Sequence, residues 1–192
     1  MSKFIFEAKE KPNFNITGKI DIKSFDKTGI HESLSGLIRL ENQISQEYAN
    51  ALRTDEKLVG QEKASLLRLI SMLMTEIITF RLYLEHKSNN NHIIRCANGK
   101  SGYDFHISKN GYHFNLTGIF SNKDLNELKS FQQWHESMHS SIHDNLLEKI
   151  KLTLADRNMS KNESIEISSQ LEEILHKTIL IYYKLDSENL FV

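Results

Sequence analysis

The sequence contains one cysteine and one proline among its 192 residues, and only eight glycines. The single cysteine, Cys96, cannot form an internal disulfide, which fits a reducing compartment. Because proline and glycine are the residues that most often interrupt helices, their scarcity favours a chain rich in long helices. The length is typical of one domain, so we expect residues 1–192 to fold as a single unit around one core.

The chain also lacks an excess of charge of either sign, since 24 Lys and Arg residues face 25 Asp and Glu residues. Balanced charge does not favour nucleic acid as a partner, because phosphate binding depends on clustered cations. The most apolar stretch, 64–85, is interrupted by Arg68, Glu76, Arg81 and Glu85, so it does not predict a membrane span. With no apolar run typical of a signal peptide at the start, we expect a cytoplasmic protein.

Apolar residues recur with the period of an α-helix in most of the chain. This pattern predicts four long helices, over 31–54, 61–86, 122–153 and a last stretch from about 160 to 185. Ser121-Asn122 is a suitable N-terminal cap for the third helix. In the fourth, Ser160-x-x-Glu163 has the pattern of a capping box, in which each side chain bonds the main chain of the other residue.

The remaining segments alternate apolar and polar residues, as strands do when one face is buried. The strands are predicted over 3–7 and 13–23, and over a hairpin at 102–120 that turns at Asn110-Gly111, with one extra strand at 92–97. A two-residue turn pairs Ile107 with Phe114 and Phe105 with Leu116. The predicted fold class is therefore α+β and helix-dominated: a small antiparallel sheet, built from the N-terminal strands and the hairpin, packs against four long helices.

One pattern in the predicted 122–153 helix matches a known chemistry, because the sequence Trp134-His135-Glu136-Ser137-Met138-His139 contains His-Glu-x-x-His. At about 100° per residue, His135 falls near the centre of the apolar face and His139 lies one turn later. Histidines four residues apart project side by side, which suits two ligands of one Zn²⁺ ion. The pattern resembles the zinc-binding helix of zincin metallopeptidases, which implies that Glu136 is the general base.

A zinc site needs a third ligand from the protein, and the sequence offers two. Asn162-Glu163 resembles the Asn-Glu pair of gluzincin metallopeptidases, which implies Glu163 as that ligand, although the family has an acid where this chain has Ile167. An unbroken helix to residue 153 would also carry the chain about 20 Å from His139. Glu76, on the most apolar helix, is therefore the alternative third ligand.

The sequence supports two interpretations of function. In the first, His135 is a hydrogen-bonded core histidine, no cofactor is bound, and the protein is a non-enzymatic regulatory or assembly subunit. Its partner would be another protein or a second copy, bound by the exposed ends of the helices at 31–54 and 165–185. In the alternative, His135, His139 and Glu163 or Glu76 bind zinc in a hydrolase, most simply a metallopeptidase. Nucleic-acid binding ranks below both interpretations.

Overall fold

The computed structural model describes residues 3–8, 13–19, 30–53, 58, 60–87, 94–98, 101–107, 113–120, 122–155 and 160–187. The strands are Lys3–Ala8 (β1), Asn13–Lys19 (β2), Ile94–Asn98 (β3), Ser101–Ile107 (β4) and His113–Ile119 (β5). The α-helices are Ile30–Ala51 (α1), Gly60–Lys87 (α2), Asn122–Glu127 (α3), Phe131–Ser140 (α4), Leu147–Ala155 (α5) and Lys161–Ser187 (α6), and a π-helical segment, Ser141–Leu146, joins α4 to α5.

The strands form one antiparallel sheet in the order β1-β2-β5-β4-β3. In the β4–β5 pair, Ile107 is opposite Phe114 and Phe105 is opposite Leu116, which confirms the predicted register. The turn predicted at Asn110-Gly111 lies outside the described residues. The N-terminal strands join this hairpin through β2, which pairs with β5, so distant parts of the chain build a single sheet.

Apolar side chains on the two central strands attach the sheet to the helices. Phe14 and Ile16 of β2 and Leu116 of β5 are almost fully buried in the same hydrophobic core as the helices. Phe120, which follows β5, has its ring centroid 4.9 Å from that of Phe14 and 5.4 Å from that of Tyr183 on α6. The fold is thus a helix-dominated α+β structure, as predicted.

The long helices form a layered group in which α1 packs on α2, α2 packs on α6, and α6 packs on α4 and the π-helical segment. The helix α2 is buried on several sides, since Leu69, Leu73, Met74 and Ile78, which are at most 6% exposed, span about half of its circumference. None of the described helices combines the length and apolar character that crossing a membrane requires.

The prediction of one continuous helix over 122–153 is wrong. Helical structure begins at Asn122, but α3 ends at Glu127 and a new helix starts after Ser130. The Ser130 hydroxyl accepts a hydrogen bond of 3.2 Å from the main-chain N–H of Gln133, as an N-cap does. The apolar periodicity continues through the break, so the pattern alone could not reveal it.

The spacing of the buried residues explains why this part of the chain forms a π-helical segment. Met138, Ile142, Leu146 and Ile150 recur at every fourth residue and are at most 1% exposed. On a regular α-helix, each four-residue step would rotate the stripe by about 40°. Within the segment, hydrogen bonds reach one residue further, as in the bond from Leu147 N–H to the Ile142 carbonyl. This wider turn keeps the stripe facing the core.

Candidate metal centre

The side chain of Glu41 lies inside the protein, at a core position of α1. On the same face of that helix, Leu37 and Ile44 lie four and three residues away, and Leu34 and Tyr48 lie seven residues away. Glu41 itself is only 3% exposed. A buried carboxylate is costly unless charged or hydrogen-bonding partners surround it, so the partners of Glu41 define a site.

Three histidines, spaced about one turn apart along α4 and the π-helical segment, lie beside the Glu41 carboxylate. His139 Nδ1 lies 3.2 Å from Oε1, and His143 Nε2 lies 3.4 Å from Oε2. His135 Nε2 is 3.6 Å from Oε1. His135 and His139 belong to α4, whereas His143 belongs to the π-helical segment. Each carboxylate oxygen therefore has at least one imidazole nitrogen beside it.

A serine connects His135 to Glu41. The Ser45 hydroxyl, one turn after Glu41 on α1, is 2.7 Å from His135 Nε2. The same oxygen is 3.2 Å from Glu41 Oε1 and 3.0 Å from the Glu41 main-chain oxygen. The hydroxyl has a single proton, and the two Glu41 oxygens, which only accept, share it in a bifurcated hydrogen bond. Ser45 is therefore free to accept a hydrogen bond from the Nε2–H of His135.

The surroundings change the pKa of two of these groups. Burial alone would raise the pKa of Glu41, but hydrogen bonds from His139 and His143, helped by Ser45, lower it below its ordinary value. Burial lowers the pKa of His135, and the neighbouring Glu41 charge offsets this only in part. At neutral pH, Glu41 is therefore ionised and His135 is neutral.

The arrangement meets the basic requirements of a metal site. The ligand atoms of Glu41, His139 and His143 all lie within 4.8 Å of one another, and they are the only such group among the residues described in the structure. Two imidazoles and one carboxylate are a ligand set used by catalytic zinc, and also by mononuclear iron. The His139 side chain is 58% exposed, so the group opens to solvent on one side.

The structure brings only one of the three predicted ligands, His139, into this group. His135 adjoins it through Ser45 and Glu41. Glu136, the predicted general base, is exposed and accepts a hydrogen bond of 2.8 Å from Gln132 Nε2 on its own helix. The catalytic roles proposed for these residues stay predictions.

Glu163 has a different role in the structure. Its carboxylate accepts a hydrogen bond of 2.6 Å from the Ser160 main-chain N–H, and its own N–H donates to the Ser160 hydroxyl at 3.2 Å. These reciprocal bonds confirm the predicted capping box at the start of α6. The structure does not place Glu163 in the group formed by Glu41, His139 and His143.

Glu76 also lies outside that group, at the contact between α2 and α1. Its carboxylate packs over Gly36, where a Cβ atom would sit 3.4 Å from Oε2. Burial raises the pKa of Glu76, and the nearby charge of Arg39 opposes this rise. The half-buried acid thus contacts α1 at Gly36 and is not part of the group formed by Glu41, His139 and His143.

The raised pKa of Glu76 predicts a pH-dependent stability. Because the folded protein holds the Glu76 proton more tightly than the unfolded chain, this group lowers stability as pH rises above the ordinary value of 4.5. We expect Glu76→Gln to be more stable than the wild type at pH 7, with a difference that shrinks near pH 4. Urea denaturation at both pH values measures it, with Glu47→Gln as control. A variant less stable at pH 7 would contradict the expectation.

Sequence reasoning did not identify Glu41 or assign a role to His143. A signal for each is present in hindsight. Glu41 occupies the one charged position in an otherwise apolar three-four series on α1, and His143 continues the four-residue spacing of His135 and His139. Neither signal says which helix faces which, so the sequence alone could not pair them.

Comparison of the chain with protein-family models, with curated proteins and with solved structures finds no match. The geometry of this site is therefore the basis from which a function is inferred.

Proposed function

We propose that this protein binds a divalent transition metal ion, with Zn²⁺ as the expected ion, through Glu41, His139 and His143. The observation that supports this most is a buried, ionised carboxylate whose oxygens lie 3.2 and 3.4 Å from imidazole nitrogens of two residues one turn apart. Ligand atoms of a tetrahedral zinc site with bonds of about 2.0–2.1 Å are separated by about 3.3–3.4 Å. Small rearrangements would therefore exchange these hydrogen bonds for metal bonds.

Three protein ligands leave a fourth position of the ion for water, which is the arrangement of catalytic rather than structural zinc. We therefore propose hydrolysis as the activity, with a peptide as the substrate class. The ion would lower the pKa of the bound water. Glu136, three residues before His139, would accept its proton, and the negative charge of Glu136 already acts on the pKa of neighbouring His135 and Tyr48.

The metal content of the purified protein tests this proposal. Untagged protein, loaded with zinc and dialysed, is assayed for zinc, iron and manganese by mass spectrometry. We expect stoichiometric zinc in the wild type and in Glu47→Gln, which changes an acid on another face of α1, and its loss in Glu41→Gln. A wild type without metal, or a Glu41→Gln variant that keeps it, would overturn the proposal.

Two glutamate variants test the proposed hydrolase activity separately from metal binding. With a fluorescent peptide library as substrate, Glu136→Gln should lose turnover while it keeps zinc, because Glu136 is proposed to move a proton and not to bind the ion. Glu148→Gln, an exposed acid beyond the site, should keep both. Zinc-loaded protein without turnover on any peptide would leave metal binding intact and remove peptide hydrolysis.

A second candidate function, a cytoplasmic regulatory or assembly subunit without catalysis, has one specific observation in its favour. Leu52, just after α1, is 54% exposed, and Ile165, near the start of α6, is 53% exposed. Large apolar side chains exposed at helix ends suit contact with another protein or a second copy. Light scattering of the wild type and of a Leu52→Ser, Ile165→Ser double variant tests self-association. If a second copy is the partner, the wild type should have the mass of a dimer and the double variant that of a monomer.

A further inference from the structure

Metal binding would break some of the hydrogen bonds around Glu41 and leave others intact. His139 and His143 contact the carboxylate through the nitrogens that the proposed site would use as ligands. These two contacts would be given up for the ion. Ser45 contacts Glu41 Oε1 from the same helix and is not a ligand, so its contact can persist.

Several neighbours fix the position of the His135 ring. Its Nε2 is 2.7 Å from the Ser45 oxygen, and its ring centroid lies 5.4 Å from that of Tyr48, which also contacts Phe131. The side chain of His135 is 19% exposed, compared with 58% for His139. A ring fixed in this way, with its nitrogen occupied by a hydroxyl, is not available as a fourth ligand.

We infer that Ser45 and His135 are positioning residues for the metal site, and this inference rests on the proposed function. His135 donates to the Ser45 hydroxyl, the hydroxyl shares its proton between the Glu41 main-chain oxygen and Glu41 Oε1, and the second carboxylate oxygen is left for the ion. The relay also keeps His135 Nε2 away from the metal, so the fourth position stays open for water. Partners of this kind, one step behind the ligands, typically change metal affinity by about 10–100-fold.

The chain supplies a matched control for a serine variant. Ser35, on the same helix, also donates to the carbonyl four residues earlier, with a bond of 2.8 Å to His31, but it is exposed and far along α1 from Glu41. Ser45→Ala and Ser35→Ala therefore make the same chemical change with the same effect on the helix. They differ in whether the hydroxyl contacts the site.

The experiment measures zinc affinity by competition with a chromophoric chelator. We expect Ser45→Ala to bind zinc about 10–100-fold more weakly than the wild type, Ser35→Ala to bind it equally, and Ser45→Thr to restore binding. The double variant Ser45→Ala, His135→Ala should lose no more zinc affinity than the single variant with the larger loss. The reason is that both residues act through one oxygen of Glu41.

Visible absorption of the Co²⁺-loaded proteins adds a readout that loss of stability would not change. A rotated carboxylate in Ser45→Ala should shift the bands, and Ser45→Thr should restore them. Unchanged affinity and spectrum in Ser45→Ala would overturn the inference while metal binding stands. Additive losses in the double variant would also overturn it. A wild type that binds neither zinc nor cobalt would overturn the proposed function and this inference together.

Discussion

Replacing His143 with alanine is expected to abolish stoichiometric zinc binding, whereas replacing His135 should leave about one zinc per chain with weaker affinity. The reason is geometric. His143 Nε2 is 3.4 Å from Glu41 Oε2 and belongs to the group of three ligand atoms, but His135 Nε2 is 2.7 Å from the Ser45 hydroxyl. The proposed pair of histidine ligands is therefore shifted by one turn relative to the pair that the His-Glu-x-x-His pattern implies.

Zinc titration of the two variants beside His31→Ala, an exposed histidine at the start of α1, measures this shift. A calorimetric or thermal readout gives the same ordering, because an ion at a hundred times its Kd stabilises the fold by about 2.7 kcal/mol. The opposite ordering, with zinc lost in His135→Ala and kept in His143→Ala, would restore the ligand pair that the sequence pattern implies.

Replacing Trp134 with alanine is expected to destabilise the metal-free protein by about 3–5 kcal/mol, the usual cost of removing a large buried aromatic side chain. Trp134 is 1% exposed, and its ring centroid lies 5.1 Å from that of Phe131. His135→Ala, made at the edge of the buried stripe, should cost only about 1 kcal/mol for the lost Ser45 bond. The histidine, predicted at the centre of the apolar face, is in fact beside it.

A third variant separates the volume of Trp134 from its polar atom. Trp134 Nε1 has no hydrogen-bond partner among the residues that the structure describes, so Trp134→Phe should cost much less than Trp134→Ala. Urea denaturation in EDTA, followed by circular dichroism, measures the stability of all three variants. Tryptophan fluorescence is unsuitable because two of the variants replace the only tryptophan of the chain. A His135→Ala variant less stable than Trp134→Ala would show that His135 is the central core residue.

The π-helical segment serves both the core and the candidate site. His139 and His143 lie on either side of its start, and their ring centroids are 4.4 Å apart. On a regular α-helix, the second histidine would lie about 40° further around the axis. The wider turn holds His143 against the second oxygen of Glu41. Such segments often occur at functional sites, and here one element keeps both the apolar stripe and the ligand in place.

Several elements follow from the sequence because their causes are local. The apolar periods of α1, α2 and α6 repeat within a few residues. The capping box needs only Ser160 and Glu163, and the β4–β5 register could be predicted by assuming a two-residue turn between the strands. Neighbouring residues determine each of these, so the α+β class and most helix bounds could be predicted.

The candidate site has a different origin, because its two sides are distant in the chain: the residue numbers of Glu41 and His139 differ by 98. Only packing of α1 beside α4 makes a buried glutamate and two histidines neighbours. The break before Ser130, where that serine caps a new helix, and the wider turn after Ser140 both depart from the regular helix that local periodicity favours. The sequence by itself determined the long helices α1, α2 and α6, the strands and the His-Glu-x-x-His pattern. The tertiary structure decided which histidines meet a carboxylate, since helix-to-helix distance and rotation depend on the whole core.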